Sequence, residues 1–205
     1  MRRAVTTLAI TATILAFVSQ QIAQASFFGY PRALKDALTY VKLEQPTLPP
    51  FAHTRFCLQY PKDCEVHGIV FRGGGFKLTP ARMLELLAVN RAVNRSIAPE
   101  PNLSGLAAER WIIHPRSGDC NDYAVTKRHE LIKRGWPSRA LLLAEVVTGW
   151  GEHHLILVIH TRAGDFLADN LTPEIRRWAA APYRWVRVQS PQNPRFWEKP
   201  VNAAA

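Results

Sequence analysis

Apolar positions recur at two different spacings along this chain, and the change from one to the other divides it. From Thr79 onward, Met83, Leu84, Leu87, Val89 and Val93 fall mostly at intervals of three and four, which places side chains on one helical face. Thr79 is a natural N-cap and Pro80 suits the first helical position, so a helix is predicted to about Arg95. A second helix is predicted from Asp119 to about Arg134, with Ala124, Val125, Leu131 and Ile132 toward a core. Gly135-Trp136-Pro137 ends it, with glycine where a left-handed cap is wanted and proline just beyond. After that the period becomes extended. Arg139 to Val147, His153 to Thr161, Asp165 to Asp169 and Tyr183 to Gln189 are strand-like, and Arg162-Ala163-Gly164 forms a hairpin turn between the second and third. Leu171 to Ala180 interrupts them, with Thr172-Pro173 marking a helix start. Helices followed by strands predict an α+β domain in which an antiparallel sheet packs on the second helix.

The earlier part is less regular. Phe27 to Pro50 reads as an entry segment, with a short helix around Pro31 to Tyr40 and a proline-rich connector from Gln45 to Pro50. Phe51 to Cys64 reads as a loop, and Glu65 to Phe71 as a short strand. Arg72-Gly73-Gly74-Gly75-Phe76 lacks the Gly-Lys-Ser/Thr ending and following helix of a phosphate loop, so it is assigned as a flexible turn. The proline-rich tail from Pro191 to Ala205 is expected to lie on the surface.

Residues 1–25 carry a different pattern. Met1-Arg2-Arg3 is basic, Ala4 to Val18 is an apolar run too short for a membrane span, and Ala23-Gln24-Ala25 fits a signal-peptidase site. The expectation is an exported protein, periplasmic or secreted, whose single domain is residues 26–205 and which keeps no stable membrane span. Loss of Arg2 and Arg3 lowers the formal charge from +10 to +8, with the arginines dispersed. Dispersed basic charge suits an acidic cell envelope or substrate, and export argues against a nucleic-acid partner.

Export also changes the meaning of the three cysteines. Cys57 and Cys64 flank the turn-like Tyr60-Pro61-Lys62-Asp63, and an oxidising compartment would join them in a disulfide. Cys120 is then left as a free thiol. It sits in Ser117-Gly118-Asp119-Cys120-Asn121-Asp122-Tyr123, at the start of the second helix, where backbone N–H groups and the helix dipole favour a thiolate. The alternative is a small buried side chain with no chemistry.

A cysteine nucleophile needs an imidazole, and the imidazole needs a group to orient it. His154 opens the apolar run to Ile159, and Asp169 closes the next strand. If those strands form an antiparallel hairpin about Arg162 to Gly164, the start of one lies beside the end of the other. Cys120, His154 and Asp169 then form a candidate triad of nucleophile, acid/base and orienter. His153 faces the other way and His160 lies at the far end of the strand, so both are assigned to structure or solvent. The Cys120 N–H is a natural oxyanion donor, and a second would come from near Trp111.

Gly118-Asp119-Cys120-Asn121-Asp122-Tyr123-Ala124 with Lys127 and Gly135, then Gly151-Glu152-His153-His154, then Leu167-Ala168-Asp169-Asn170-Leu171, resembles the bacterial transglutaminase-like cysteine proteinases. The resemblance runs from about Trp111 to Ser190. It implies a papain-like or transglutaminase-like α+β fold, a Cys-His-Asp triad on the same three residues, and a protein or peptide substrate in the cell envelope. Some relatives are calcium-dependent, and acidic residues flanking their nucleophile help bind the ion. Asp119 and Asp122 are the corresponding candidates here, but Asn121 replaces the usual glutamate of Asp-Cys-Glu-Asp, and helix capping is the competing role for both aspartates. No cofactor is required by the triad chemistry itself. Three other readings stay open: acyl transfer to an amine by the same triad, a non-catalytic envelope binding module, and a metal site made of Cys120, His154 and Asp169.

Overall fold

The computed structural model describes residues 40–68, 75–103, 105 and 108–201. The expected signal segment and the helix expected from Pro31 lie outside them, as do most of the glycine turn and the end of the strand expected to Phe71. Glu65 to Gly68, the described part of that strand, is not extended into a sheet.

Three α-helices are described: α1 (Phe51–Gln59), α2 (Pro80–Ser96) and α3 (Cys120–Lys133). The two predicted helices hold with their caps. Thr79 Oγ1 accepts from Arg82 N at 3.3 Å. At the end of α3, Gly135 adopts φ +79, its N–H reaches Ile132 O, and Trp136 N–H reaches Leu131 O, the two bonds of a Schellman motif. Helix α1 was expected as a loop. It has no side-chain N-cap and only Ala52, His53, Phe56 and Cys57 buried, so it is held by packing rather than by local signals. Its Cys57 is joined to Cys64 across 5.5 Å between Cα atoms, which ties the helix to the 3₁₀ turn Pro61–Cys64.

The main sheet has seven strands: β1 (Leu43–Thr47), β4 (Leu141–Val147), β5 (His153–Thr161), β6 (Gly164–Ala168), β7 (Ile175–Arg177), β8 (Arg184–Gln189) and β9 (Trp197–Pro200). Their order is β1-β9-β8-β4-β5-β6-β7, and neighbours run antiparallel. The four predicted strands are β4, β5, β6 and β8. Three expectations are corrected. The proline-rich connector overlaps the edge strand β1, where Pro46 costs no interior hydrogen bond. The segment after Leu171 forms β7 and a 3₁₀ turn, Trp178–Ala180, instead of an α-helix. The tail contributes β9, whose Trp197 is buried and donates from Nε1 to His53 Nδ1 at 3.2 Å.

Strands β4 and β5 are buried on both faces, which is why they read as unbroken apolar runs. Leu141, Leu143, Leu155, Leu157 and Ile159 face a core shared with the helices, including Phe56, Leu86, Val93, Val125 and Leu131. Leu142, Ala144, Val146, Ile156 and Val158 face the other way, against Leu167 and Val188, with Tyr183 and Trp185 packed over them. Burying one such side chain contributes about 1.5–3 kcal/mol. A separate two-stranded parallel pair, β2 (Ala98–Pro99) with β3 (Ser117–Gly118), ties the end of α2 to the turn before Cys120.

Candidate active site

The turn that delivers Cys120 is fixed by its own side chains. Asp119 caps α3, its Oδ1 accepting from Asn121 N at 2.9 Å, and Asp122 Oδ2 accepts in return from Asp119 N at 3.2 Å. Asp122 Oδ1 also accepts from Ile112 N at 2.7 Å, which pins the preceding segment. The Cys120 N–H is not among the donors that this cap engages, so it is available to an incoming oxyanion. Gly118 is required here by space, because a Cβ at that position would lie 2.1 Å from Asp122 Oδ2.

The hairpin register brings the other two residues together. Leu157 pairs with Ala168, so one further step sets Asp169 opposite Ile156 and diagonal to His154 on the same face. His154 Nε2 lies 2.9 Å from Asp169 Oδ1. Asp169 is held in turn by Tyr183, whose hydroxyl donates to Oδ2, and by Leu171 N–H on Oδ1 at 3.0 Å. With Nε2 directed to the carboxylate, Nδ1 is the imidazole nitrogen left for proton exchange. Burial works against the Asp169 charge. The hydrogen bond and charge of His154, with the Tyr183 and Leu171 donors, outweigh it and hold the carboxyl below its ordinary range.

Cys120 lies in the same cleft as His154, a cavity of about 580 Å³ walled also by Phe51, Trp111 and Glu145. The hydrogen bond its Sγ accepts comes from the N–H of Leu155, the residue after His154, at 3.4 Å. The electrostatics differ from the expectation of a helix terminus that simply favours thiolate. Burial pushes the Cys120 thiol up to about 12, the Leu155 N–H offsets part of this, and the charges of Asp119, Glu109 and Asp169 add to it.

Glu109 is a site residue that the sequence reading did not single out, and nothing in its local sequence marks it. Its Oε1 accepts from Trp111 Nε1 at 2.9 Å and from Asn121 Nδ2 at 2.6 Å. Burial raises its pKa, and it does the same for Asp119. Asp122 is pushed up to about 6, again by burial first, although Ile112 N–H counteracts this. Glu109, Asp119 and Asn121 line the cleft with oxygen-bearing groups, whereas Asp122 points into the cap. A hard cation fits that donor set, since the two half-buried carboxylates are met here by neutral N–H donors.

His153 is exposed and lines the cleft, bonded through Nδ1 to Glu145 Oε1 at 2.7 Å, and Arg187 Nε holds the other oxygen of Glu145. His160 pairs with Asp165 at 2.7 Å, away from the cleft. No helix among the described residues is long and apolar enough to cross a membrane.

A cysteine at a helix N-terminus, set against a histidine–carboxylate pair on an antiparallel sheet, is the layout of the papain-like and transglutaminase-like thiol enzymes. The chain belongs to the bacterial transglutaminase-like cysteine proteinases, whose family model matches residues 43–203. Among solved structures it is similar to Legionella pneumophila LapG, at 22% identity over 55% of this chain and 65% of that one, with a TM-score of 0.47. That match spans just under two thirds of the LapG chain. Calcium-bound Legionella pneumophila LapG is similar at 19% identity over 63% of this chain and 76% of that one, with a TM-score of 0.50. No curated protein matches.

Proposed function

We propose that this chain is an exported, periplasmic thiol peptidase that cleaves protein substrates of the cell envelope through Cys120, His154 and Asp169. The observation that carries the reading is the 2.9 Å pairing of His154 Nε2 with Asp169 Oδ1 in a cleft shared with the Cys120 thiol. His154 Nδ1 takes the Cys120 proton as Sγ attacks the substrate carbonyl. The Cys120 N–H receives the oxyanion, the C–N bond breaks, and His154 returns the proton to the leaving amine. Water then attacks the thioester, giving its proton to His154, and the thiolate leaves and is reprotonated. A thiol raised to about 12 needs this partner, because at neutral pH its thiolate is otherwise scarce. Family membership and the open cleft both support a peptide substrate.

Calcium is part of this reading as a ligand of Glu109, Asp119 and the Asn121 side-chain oxygen. When bound, it supplies positive charge beside carboxylates that raise the thiol. The support is the donor set itself and a fold neighbour solved with calcium bound.

The test uses the chain from Ser26 onward, as wild type and Cys120→Ala, incubated with envelope protein and analysed by mass spectrometry. New termini produced by wild type alone support hydrolysis; new isopeptide bonds would replace it with acyl transfer to an amine. Equal cleavage by Cys120→Ala would sink the proposal. Alkylation adds a second check. In His154→Ala the rate should rise about tenfold per pH unit from pH 7 to 10 without a plateau, whereas wild type labels rapidly at neutral pH.

A further inference from the structure

Away from the cleft, the third turn of α3 meets the segment that leads into the nucleophile turn, and three metal-binding side chains converge there. One ligand atom from each of His114, His129 and Glu130 lies within 4.8 Å of the other two. His114 Nε2 is 3.0 Å from Glu130 Oε1, and the two imidazole rings stand at 83° with centroids 6.0 Å apart. Tetrahedral coordination at bond lengths of about 2.0–2.2 Å sets donors roughly 3.3–3.5 Å apart. Small side-chain rotations therefore bring all three onto one ion.

Two further observations distinguish this cluster from a chance meeting of surface groups. His129 directs Nδ1 at the Asp63 carboxylate, 2.9 Å from Oδ1 and 3.1 Å from Oδ2, which leaves Nε2 as its free ligand nitrogen. A carboxylate behind a ligating imidazole fixes its tautomer and raises its basicity. His114 is the one non-glycine residue with positive φ among those described, at 55°. Its N–H donates to Thr126 Oγ1 at 3.0 Å, which anchors this left-handed turn on α3 beneath the other two ligands. The opposing feature is that Glu130 also lies 3.5 Å from Lys133 Nζ and 3.6 Å from an Arg134 guanidinium nitrogen. Both cations are substantially exposed, and such pairs contribute little, so they can yield the carboxylate.

We propose that His114, His129 and Glu130 form a binding site for a divalent transition cation of the zinc type, with Asp63 orienting His129. Two imidazoles and one carboxylate are ligands for zinc rather than for calcium, which takes oxygen donors. The site leaves a fourth position for water. It clamps the segment from Trp111 to Gly118 to the helix that carries Cys120, from the side away from the substrate.

The test is zinc binding to metal-free protein carrying Cys120→Ala, so that the catalytic thiol cannot act as a ligand. Competition with a chromophoric chelator should show one zinc per chain at micromolar affinity or tighter, and saturating zinc should raise Tm by roughly 5 °C. His114→Gly and Glu130→Gln should each weaken binding at least tenfold, and Asp63→Asn about tenfold. His114→Gly is the decisive variant, because glycine removes a ligand while easing the left-handed backbone, so its metal-free Tm should not fall. Zinc bound equally well by His114→Gly, or no zinc bound at micromolar concentration by the parent, overturns the proposal.

Discussion

Replacing Gly118 by alanine tests the local geometry of the nucleophile turn without touching any group that reacts. The added Cβ would stand 2.1 Å from Asp122 Oδ2, so the carboxylate must retreat by roughly 1 Å to reach even 3.0 Å. It cannot do so freely, since Oδ1 holds Ile112 N at 2.7 Å and Oδ2 holds Asp119 N at 3.2 Å. Giving up the Asp119 bond costs about 1 kcal/mol as half of a capping box, and a buried carboxylate with poorer hydrogen bonding costs about 1–2 kcal/mol more. The sum, about 2–3 kcal/mol, should appear as a lower midpoint in urea unfolding followed by tryptophan fluorescence. A shift of that size in the turn also displaces Cys120, and peptidase activity should fall by about 10²-fold. The Asp122→Ala background supplies the control. There the carboxylate is gone and only the 2.9 Å approach to the Cβ of residue 122 remains, so the Gly118→Ala cost should fall well below its value beside Asp122. If the Gly118→Ala cost is the same with and without Asp122, the steric argument is wrong.

Two further outcomes follow from the buried polar groups. Tyr183→Phe removes the hydroxyl that donates to Asp169 Oδ2, a bond to a charged acceptor worth about 1.5–3 kcal/mol. Tyr183 does not line the cleft, so kcat should fall about 10- to 100-fold with KM nearly unchanged, and an unaltered kcat would remove it from the positioning of His154. Lys127 is buried, and burial lowers its pKa to about 7, although the Asp169 charge partly supports the ammonium. Because the folded pKa lies below the unfolded one, near 10.5, the penalty for its charge is complete below pH 7 and disappears above about pH 10.5. Lys127→Met should therefore be more stable than wild type at pH 6, with the gap closing as pH rises toward 10; a gap independent of pH would contradict the assignment.

What could be read from the chain follows from how local each signal is. His154 and Asp169 were legible as neighbours because a short turn at Arg162 to Gly164 fixes the register of two adjacent strands, and register decides which ends meet. Helices α2 and α3 carried caps and a closing glycine within their own residues. Strands β1 and β9 carried nothing comparable. Leu43-Glu44-Gln45-Pro46-Thr47 and Trp197-Glu198-Lys199-Pro200 are polar and proline-bearing; the first becomes a strand by pairing with the second, and the second by lying between β1 and β8. Glu109 and Tyr183 were missed for the same reason, since their partners are Asn121 and Asp169 from other segments. The charge around Cys120 is only partly legible in the chain. A helix N-terminus can be recognised locally, but the burial and carboxylates that raise the thiol arise only in three dimensions.

The pairing of β1 with β9 also bears on the shape of the cleft. Pro50, Phe51 and Ala52 wall the cleft, and they follow a strand whose partner begins at Trp197. Arg187 reaches across to Leu48 O at 2.9 Å and adds to the same closure. One wall of the cleft, near residue 50, is therefore held by strands near residues 187 and 197, while Cys120, His154 and Asp169 stand on α3 and the β5–β6 hairpin. Loosening the last strand should open the cleft before it disturbs the pairing of His154 with Asp169.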